Sequence, residues 1–269
     1  MQPKPQLSII TPVFNGIRFV ESCMKSVIEQ VCDAVEHVIV DGGSTDGTCE
    51  LIQRYAEQYP HIRWSSGRDE GQSDAMNKGI KAAVGDFVGF LNVDDYYEPG
   101  VLCEVLPMLR SSPEPTLLVG NCNIWDDHGQ LISVSRPAAI SLLNLLKGRY
   151  EEAFPMNSSA YFYHRSLHDR IGLYEVGEAY AMDVHFVFKA VQKANVSYID
   201  RTFGNYRYLQ GTRTFEDVQS GMNSVRVRSI TDHYRKQQPI YVRTHLSFAE
   251  TWARLWSVAR GAYARVRKR

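Results

Sequence analysis

The stretch LSIITPVFNGIRFVESCMKSVIEQVCDAVEHVIVD, Leu7 to Asp41, carries the reading that decides the fold. It opens on an apolar, β-branched run, Leu7 to Val13, and closes on a second, Glu36 to Asp41. Between them Val20, Cys23, Met24, Val27 and Ile28 recur at i, i+3 and i+4, which puts one apolar stripe on a helix. Two strands joined by a helix of this length pair in parallel, with the helix over one face of the sheet. The alternation continues outward. Cys49, Ile52, Tyr55, Ala56 and Tyr59 form a second stripe, Ile62 to Trp64 a third strand, and Met76, Ile80 and Ala83 a shorter helix. Asp86 to Asn92 reads as a fourth strand, and Val101, Leu102, Val105 and Leu106 as a fourth helix, opened by Pro99 at a first-turn position. The fold class this predicts is α/β, a doubly wound, mainly parallel sheet with helices on both faces.

Past Leu109 the pattern loosens into Ser111-Ser112-Pro113-Glu114-Pro115, a turn-rich break. Strands follow near Thr116 to Gly120 and Leu131 to Val134. Then come a helix on Val184, Val187, Phe188 and Val191, and strands near Val196 to Asp200 and Phe203 to Tyr208. From Phe215 onward the chain reads as helical. Three segments result: 1–110, 111–214 and a helical, basic extension over 215–269.

With 269 residues, 44% hydrophobic and 22% charged, the chain is long enough for a sizeable core and is not a disordered polymer. Its zero formal charge conceals an asymmetry: residues 1–150 hold 12 Lys/Arg against 19 Asp/Glu, and residues 151–269 hold 18 against 11. An acidic front half argues against a nucleic-acid partner, whereas the basic back half suits phosphates or an anionic membrane surface. The five cysteines include no C-x-x-C pair and read as reduced, mostly buried thiols. The polar Met1 to Gln6 and the lack of a membrane-length apolar run give a cytoplasmic expectation.

In doubly wound sheets ligands gather at the carboxyl ends of the strands. The first strand ends in Thr11-Pro12-Val13-Phe14-Asn15-Gly16, where a ring and backbone amides could hold a flat base. The second ends in Val40-Asp41-Gly42-Gly43-Ser44-Thr45-Asp46-Gly47, a tight turn with a carboxylate able to accept from a base edge. After the third come Arg68, Asp69 and Asp74, either a solvated loop with a Ser73 cap or part of a nucleotide pocket. The fourth, Phe90-Leu91-Asn92-Val93-Asp94-Asp95, runs an apolar strand into two adjacent acids whose repulsion a hard divalent cation would remove.

Together these stretches resemble the family 2 glycosyltransferases, inverting enzymes of the GT-A fold, and most of all those that build bacterial surface polysaccharides. Leu7 to Asn15 is similar to the family's opening strand, and Val40 to Thr48 to its D-(G/D)-(G/S)-S-x-D-(G/R)-T loop. Asp74-Ala75-Met76-Asn77-Lys78-Gly79 and Gly89 to Asp95 complete the set in order and spacing. The resemblance, strong over about residues 7–105, implies a donor-binding half in 1–110 and an acceptor-binding half in 111–214. It also implies that Pro12 and Phe14 line the base, that Asp41 hydrogen-bonds it, and that Asp94 and Asp95 serve ribose and a Mg²⁺ or Mn²⁺ ion. Asn15, Ser44, Arg68, Asp69, Asp74 and Asn92 join the donor pocket in this reading. Asn92 stands where the family's D-x-D motif commonly begins with Asp.

Ala181-Met182-Asp183-Val184-His185 looks like the family's D-x-(D/E) element, which makes Asp183 the expected general base and puts His185 in place of the second acid. Tyr206 to Arg213 resembles the loop that closes over the diphosphate, with Arg207 or Arg213 as the phosphate ligand. His164 and His168 stand i, i+4 on a potential helix but lack a third ligand at motif spacing. Trp252, Leu255, Trp256, Ala259 and Tyr263 make an apolar stripe in a tail with six basic residues and no acid from Thr251 onward, suited to the protein's own body, a partner or second copy, or the inner membrane surface.

The expected function is transfer of a sugar from a nucleotide-diphosphate sugar, a UDP-sugar favoured, to a hydroxyl of a saccharide or lipid-linked acceptor, with inversion. Asn92 and His185 leave a non-catalytic nucleotide-sugar-binding subunit as the rival. A sugar nucleotidyltransferase ranks third, because residues 7–20 offer only Gly16 and Arg18 toward a glycine-rich basic phosphate loop.

Overall fold

The computed structural model of the chain describes residues 4–30, 34–177 and 180–246. The first half alternates as its pattern predicts: β1 (Leu7–Val13), α1 (Val20–Ile28), β2 (Val35–Asp41), α2 (Thr48–Gln58), β3 (Ile62–Ser66), α3 (Gln72–Ala82) and β4 (Phe87–Phe90). A two-residue β5 (Tyr96–Tyr97) and α4 (Val101–Ser111) close it. Then follow β6 (Thr116–Trp125), β7 (Leu131–Ser135), α5 (Leu142–Leu146), α6 (Tyr150–Ala153), a 3₁₀ turn (Ser158–Ala160), β8 (Tyr161–His164) and α7 (Leu167–Ile171). The chain goes on through α8 (Met182–Ala190), β9 (Asn195–Arg207), α9 (Arg213–Gln219) and α10 (Met222–Lys236).

The strands lie in the order β3-β2-β1-β4-β8-β6-β9-β5, with β7 beside β6. β3, β2, β1 and β4 are mutually parallel, as are β6 and β9, whereas β8 runs antiparallel to both β4 and β6. The chain winds outward from β1 to β3 and returns to β1's other side at β4, so a crevice opens where the winding reverses. Alternation along the strands sends Leu7 and Ile9 into one core with Cys23, Val27 and α4, while Ile10, Val38 and Val40 face a second core under α3, α8 and α10. All seven residues of β1 and all seven of β2 are buried, the signature of parallel strands covered on both faces. At Gly79 of α3 a Cβ would stand 2.3 Å from Cγ2 of Ile10, so glycine permits the helix to lie directly on β1.

The structure corrects several sequence expectations. β8 sits in the middle of the sheet yet was not expected, because Tyr161-Phe162-Tyr163-His164 is short and buried throughout, and such a run shows neither helical nor strand period. His164 therefore lies on a strand and His168 on α7, not on one helix. His164 Nδ1 accepts from Thr116 N (3.0 Å) and His168 pairs with the Tyr163 hydroxyl (2.9 Å), so both are core histidines whose pKa burial pulls down. The two strands expected over 196–208 are one strand, β9. Gly100, in the left-handed region at φ 82°, caps α4, so Pro99 precedes the helix; Gly71 likewise precedes α3, and Ser73 lies inside it. Cys23 and Cys122 are buried, with thiols pushed up to about 12, but Cys103 is exposed and Cys49 half-buried. The aromatic tail stripe from Trp252 and Cys32 lie outside the described residues.

Candidate active site

Two loops at the crevice are zipped together by short polar side chains. Asn15, at φ 49°, donates its N–H to Ser44 Oγ (2.7 Å) and accepts from Thr45 N at Oδ1 (3.0 Å). Asp46 Oδ2 accepts from Ile17 N (3.1 Å), and Thr48 Oγ1 from Gly16 N (3.0 Å). Asn tolerates the left-handed backbone because its side chain bonds locally. The Pro12 end of β1 is buried, while the Phe14 ring just beyond it is 63% exposed. An aromatic left bare at the mouth of a crevice is a stacking surface.

Asp41 organises this wall. Its buried carboxylate accepts from Gly43 N (2.9 Å), Ser44 N (3.0 Å), Ser66 Oγ (2.7 Å), Cys49 Sγ (3.1 Å) and the Ser44 hydroxyl. Burial pushes the carboxyl up, but the donors from Ser44, Ser66 and Cys49 outweigh it and hold the group below the usual carboxylate range. Asp41 is thus first of all the clamp that shapes the loop. Asp69 Oδ1 accepts from Gly71 N (2.9 Å), and Oδ2 packs so closely on Gly42 that a Cβ there would lie 2.6 Å away. Arg68 is exposed beside this loop. Asp74 accepts from Lys78 Nζ and Glu70 N at 2.9 and 3.2 Å, and Lys78 first, then Glu70, lowers its pKa. A side chain at Gly16 would collide with Val93 (2.9 Å), the contact that joins the β1 loop to the acidic turn.

The two acids after β4 differ sharply. Asp95 is fully buried and both its oxygens are occupied: Oδ2 by Asn157 Nδ2 (2.8 Å) and Asn92 Nδ2 (3.1 Å), Oδ1 by Arg207 N (3.1 Å). Asp94 is partly exposed, and its carboxylate accepts nothing from another residue among those described. Burial raises the pKa of both, Asp95 further because Asp94 stands beside it; the Arg207 guanidinium partly offsets this at Asp94. Asn92 now has a physical role. Its amide donates to Asp95 while its Oδ1 accepts from Gln72 Nε2 (3.0 Å), so a hydrogen bond replaces the repulsion a third carboxylate would bring.

Arg207 is a strut under this turn. Nη1 donates to the Asp94 carbonyl (2.5 Å), and the guanidinium stacks over Tyr96 (4.5 Å to the ring centre) and Phe19 (5.6 Å). Arg213, at the start of α9, instead lines the cleft beyond Asn92, together with Asp183, Asn157, Ser158, Tyr161 and Asp217. Asp183 lies in the first turn of α8 and accepts from Val184 N (2.8 Å). Of the expected residues, Asn92, Asp183 and Arg213 therefore share one cleft, while Pro12, Phe14, Asn15, Asp41 and Ser44 lie at the ends of β1 and β2 and are not among its lining residues.

Asn157 was missed by the sequence reading. It caps the 3₁₀ turn through Ser159 N (2.8 Å) while holding Asp95, so one amide ties β8 to the acidic turn. The Asn-Ser-Ser sequence ahead of an aromatic run was the only local signal. Among the described residues no cluster of three or more His, Cys, Asp or Glu side chains could hold a metal unaided. The donor set still fits a hard ion completed by phosphate oxygens, because the Asp94 carboxylate accepts only from its own backbone N–H and keeps oxygen lone pairs to offer.

Comparisons with known proteins bear on the fold and the family. Among curated relatives, a glycosyltransferase of Escherichia coli, YibD, is 37% identical over 123 residues, 46% of this chain and 35% of its own length. EpsJ of Bacillus subtilis is 26% identical over 224 residues, 80% of this chain and 64% of that one. The chain thus spans between a third and two thirds of these relatives. Among solved structures, S. aureus TarS 1-349 in complex with UDP-GlcNAc superposes with a TM-score of 0.65 at 21% identity, covering 78% of this chain and 60% of that one. A Pyrobaculum calidifontis mannosyltransferase in complex with GDP-Man and Mn²⁺ gives 0.62 at 17%, covering 97% and 75%. Both share the fold. The family model of glycosyl transferase family 2 matches residues 8–169, from the first strand through β8 and into α7, and the chain belongs to that family.

Proposed function

We propose that the protein transfers a sugar from a nucleotide-diphosphate sugar to a hydroxyl of a saccharide or lipid-linked acceptor, with inversion, in polysaccharide biosynthesis. The observation that carries this reading is the unequal acid pair: Asp95 locked into the fold and Asp94, its carboxylate bonded only by its own backbone N–H, two residues past Asn92, which lines a cleft with Asp183 and Arg213. A UDP-sugar is the favoured donor, since TarS is solved with UDP-GlcNAc and with UDP.

Phe14 and Pro12 would receive the base, with the Asp41 loop setting their position. Asp94 would hold a divalent ion, Mg²⁺ or Mn²⁺, whose chemistry is to neutralise charge on the departing diphosphate. Arg213 would add a bidentate phosphate contact, whereas Arg207 keeps the acidic turn in shape. Asp183 would take the acceptor's proton as its oxygen attacks the anomeric carbon from the face opposite the diphosphate. No helix among the described residues is long and apolar enough to cross a membrane.

The test combines purified protein, Mn²⁺ or Mg²⁺, and panels of nucleotide sugars and saccharide acceptors. Expected are metal-dependent release of nucleoside diphosphate, its loss in Asp94→Ala, and a product of inverted anomeric configuration by NMR. Binding of a donor with no turnover on any acceptor would instead favour a non-catalytic subunit.

A further inference from the structure

Three polar side chains of α3 reach elements on both sides of the cleft. Gln72 Nε2 donates to Asn92 Oδ1 (3.0 Å) at the acidic turn, and Ser73 Oγ donates to Met182 Sδ (2.9 Å) at the start of α8. Asn77 grips the backbone of Tyr174 twice: its Nδ2 donates to the Tyr174 carbonyl (2.8 Å), and its Oδ1 accepts from Tyr174 N (2.9 Å). A carboxamide carries donor and acceptor side by side, so it pairs with one residue's N–H and C=O as a neighbouring strand would. Both partners are buried, and α3 itself is seated directly on β1 at Gly79, so the clamp has a rigid base. Asparagine is a poor helix former, so its place in the middle of α3 is explained by what it holds and not by the helix.

What Asn77 holds is a wedge. The Tyr174 ring stands edge-on to Phe90, the last residue of β4, at 5.7 Å and 88°, and stacks on Phe186 of α8 at 5.5 Å and 25°. β4 runs on into Asn92, Asp94 and Asp95, and Asp183 lies on α8 one turn before Phe186. One ring therefore spaces the strand that delivers the acidic turn from the helix that carries the candidate base, and Asn77 fixes the backbone of that ring.

Resting on the function proposed above, we propose that Asn77 is a positioning residue for Asp183, setting through Tyr174 where the base stands relative to the acidic turn. Asn77 is not among the residues that line the cleft, so it acts only through the groups it holds. Shifting a reacting group by about 1 Å from a distant position costs about 10²-fold in rate. The effect of losing the clamp therefore falls on turnover and leaves the donor's hold on the β1 and β2 loops unchanged.

The test is a double-mutant cycle on the full chain with Mn²⁺, titrated with UDP-GlcNAc and GDP-mannose and assayed for release of nucleoside diphosphate on a panel of methyl glycosides. Turnover is counted per donor-binding site, at a temperature where each variant is folded by circular dichroism. Asn77→Ala is expected to lower kcat about tenfold or more while donor affinity stays within about twofold of wild type. In an Asp183→Asn background the same substitution should lower the residual rate by less than about twofold, since the group it positions is already gone. Tyr174→Leu keeps the backbone clamp and removes the ring; it should give the same pattern, and it carries the test if Asn77→Ala does not fold. An equal loss of kcat in both backgrounds, a donor affinity that falls together with kcat, or full turnover in the folded variant overturns the proposal. A wild-type protein that binds neither donor, or that binds one and turns none over, overturns the functional reading itself, and this inference with it.

Discussion

The candidate site has two walls built in different ways, one on the loops after β1 and β2 and one around the acidic turn after β4. The first, from Pro12 to Ser66, joins turn residues of neighbouring strand ends: Asp41 gathers donors from Gly43, Ser44, Cys49 and Ser66, all within 25 positions of it, and Asn15 reaches Ser44 and Thr45 over 29 and 30. The second is assembled across long separations, with Asn157 reaching Asp95 over 62 positions and Arg207 over 112. A carboxylate in the first wall is held below its usual pKa by saturation with donors, whereas the acids of the second are pushed above it by burial. The second wall leaves the Asp94 carboxylate with no donor but its own backbone N–H, while Asp95 beside it takes three from distant residues.

The largest expected effect sharpens this contrast. Asp183→Asn should lower turnover about 10²–10⁴-fold, the range of a lost general base, with the melting temperature unchanged. Near-normal turnover would remove Asp183 from the chemistry. Next comes the acid pair itself. Asp95→Ala leaves three donors unpaired in the interior and should cost about 3 kcal/mol or more of unfolding free energy, whereas Asp94→Ala should cost under about 1. Equal losses in chemical denaturation would contradict the division of labour.

Buried titratable groups then pull the pH profile in opposite directions. His37 is fully buried, bonded through Nε2 to Thr11 Oγ1 (2.9 Å), and desolvation drives its pKa from 6.5 to about 3. Between those values the unfolded chain binds a proton that the folded chain refuses, so this contribution falls as pH drops, by at most about 1.4 kcal/mol per pH unit. Asp94 and Asp95, with raised pKa values, bind protons more readily folded than unfolded. They add a slope of opposite sign just above the ordinary carboxylate range. Denaturation midpoints between pH 4 and 7 should therefore fall less steeply on acidification in His37→Gln. The smallest effect concerns Asn92→Asp. It replaces a hydrogen bond to Asp95 with repulsion, which should cost about 1–2 kcal/mol and make stability respond more to added Mn²⁺ than in wild type. A variant as stable as wild type and no more responsive to metal would deny Asn92 that role.

The same contrast explains what could be read from the chain. β1 to β4, their helices and the Asp41 loop were legible because period, turn chemistry and motif lie within short contiguous windows. β8 was invisible, since four buried residues carry no period, and with it went Asn157, Ser158 and Tyr161. The roles of Arg207 and Arg213 were left open because a row of residues does not tell which guanidinium is anchored on Asp94's carbonyl and on Tyr96. Asp95 was expected to share the metal with Asp94; only its three donors reveal that its carboxylate is committed to the fold.

The most direct test of two walls with separate duties is a paired titration of donor binding and turnover in Asp94→Ala and Asp183→Asn. The account predicts that Asp94→Ala loses metal-dependent donor affinity by about tenfold or more, while Asp183→Asn binds donor within about twofold of wild type and loses turnover at least about 100-fold. Asp183→Asn binding donor poorly, or Asp94→Ala binding it with undiminished metal dependence, would contradict it.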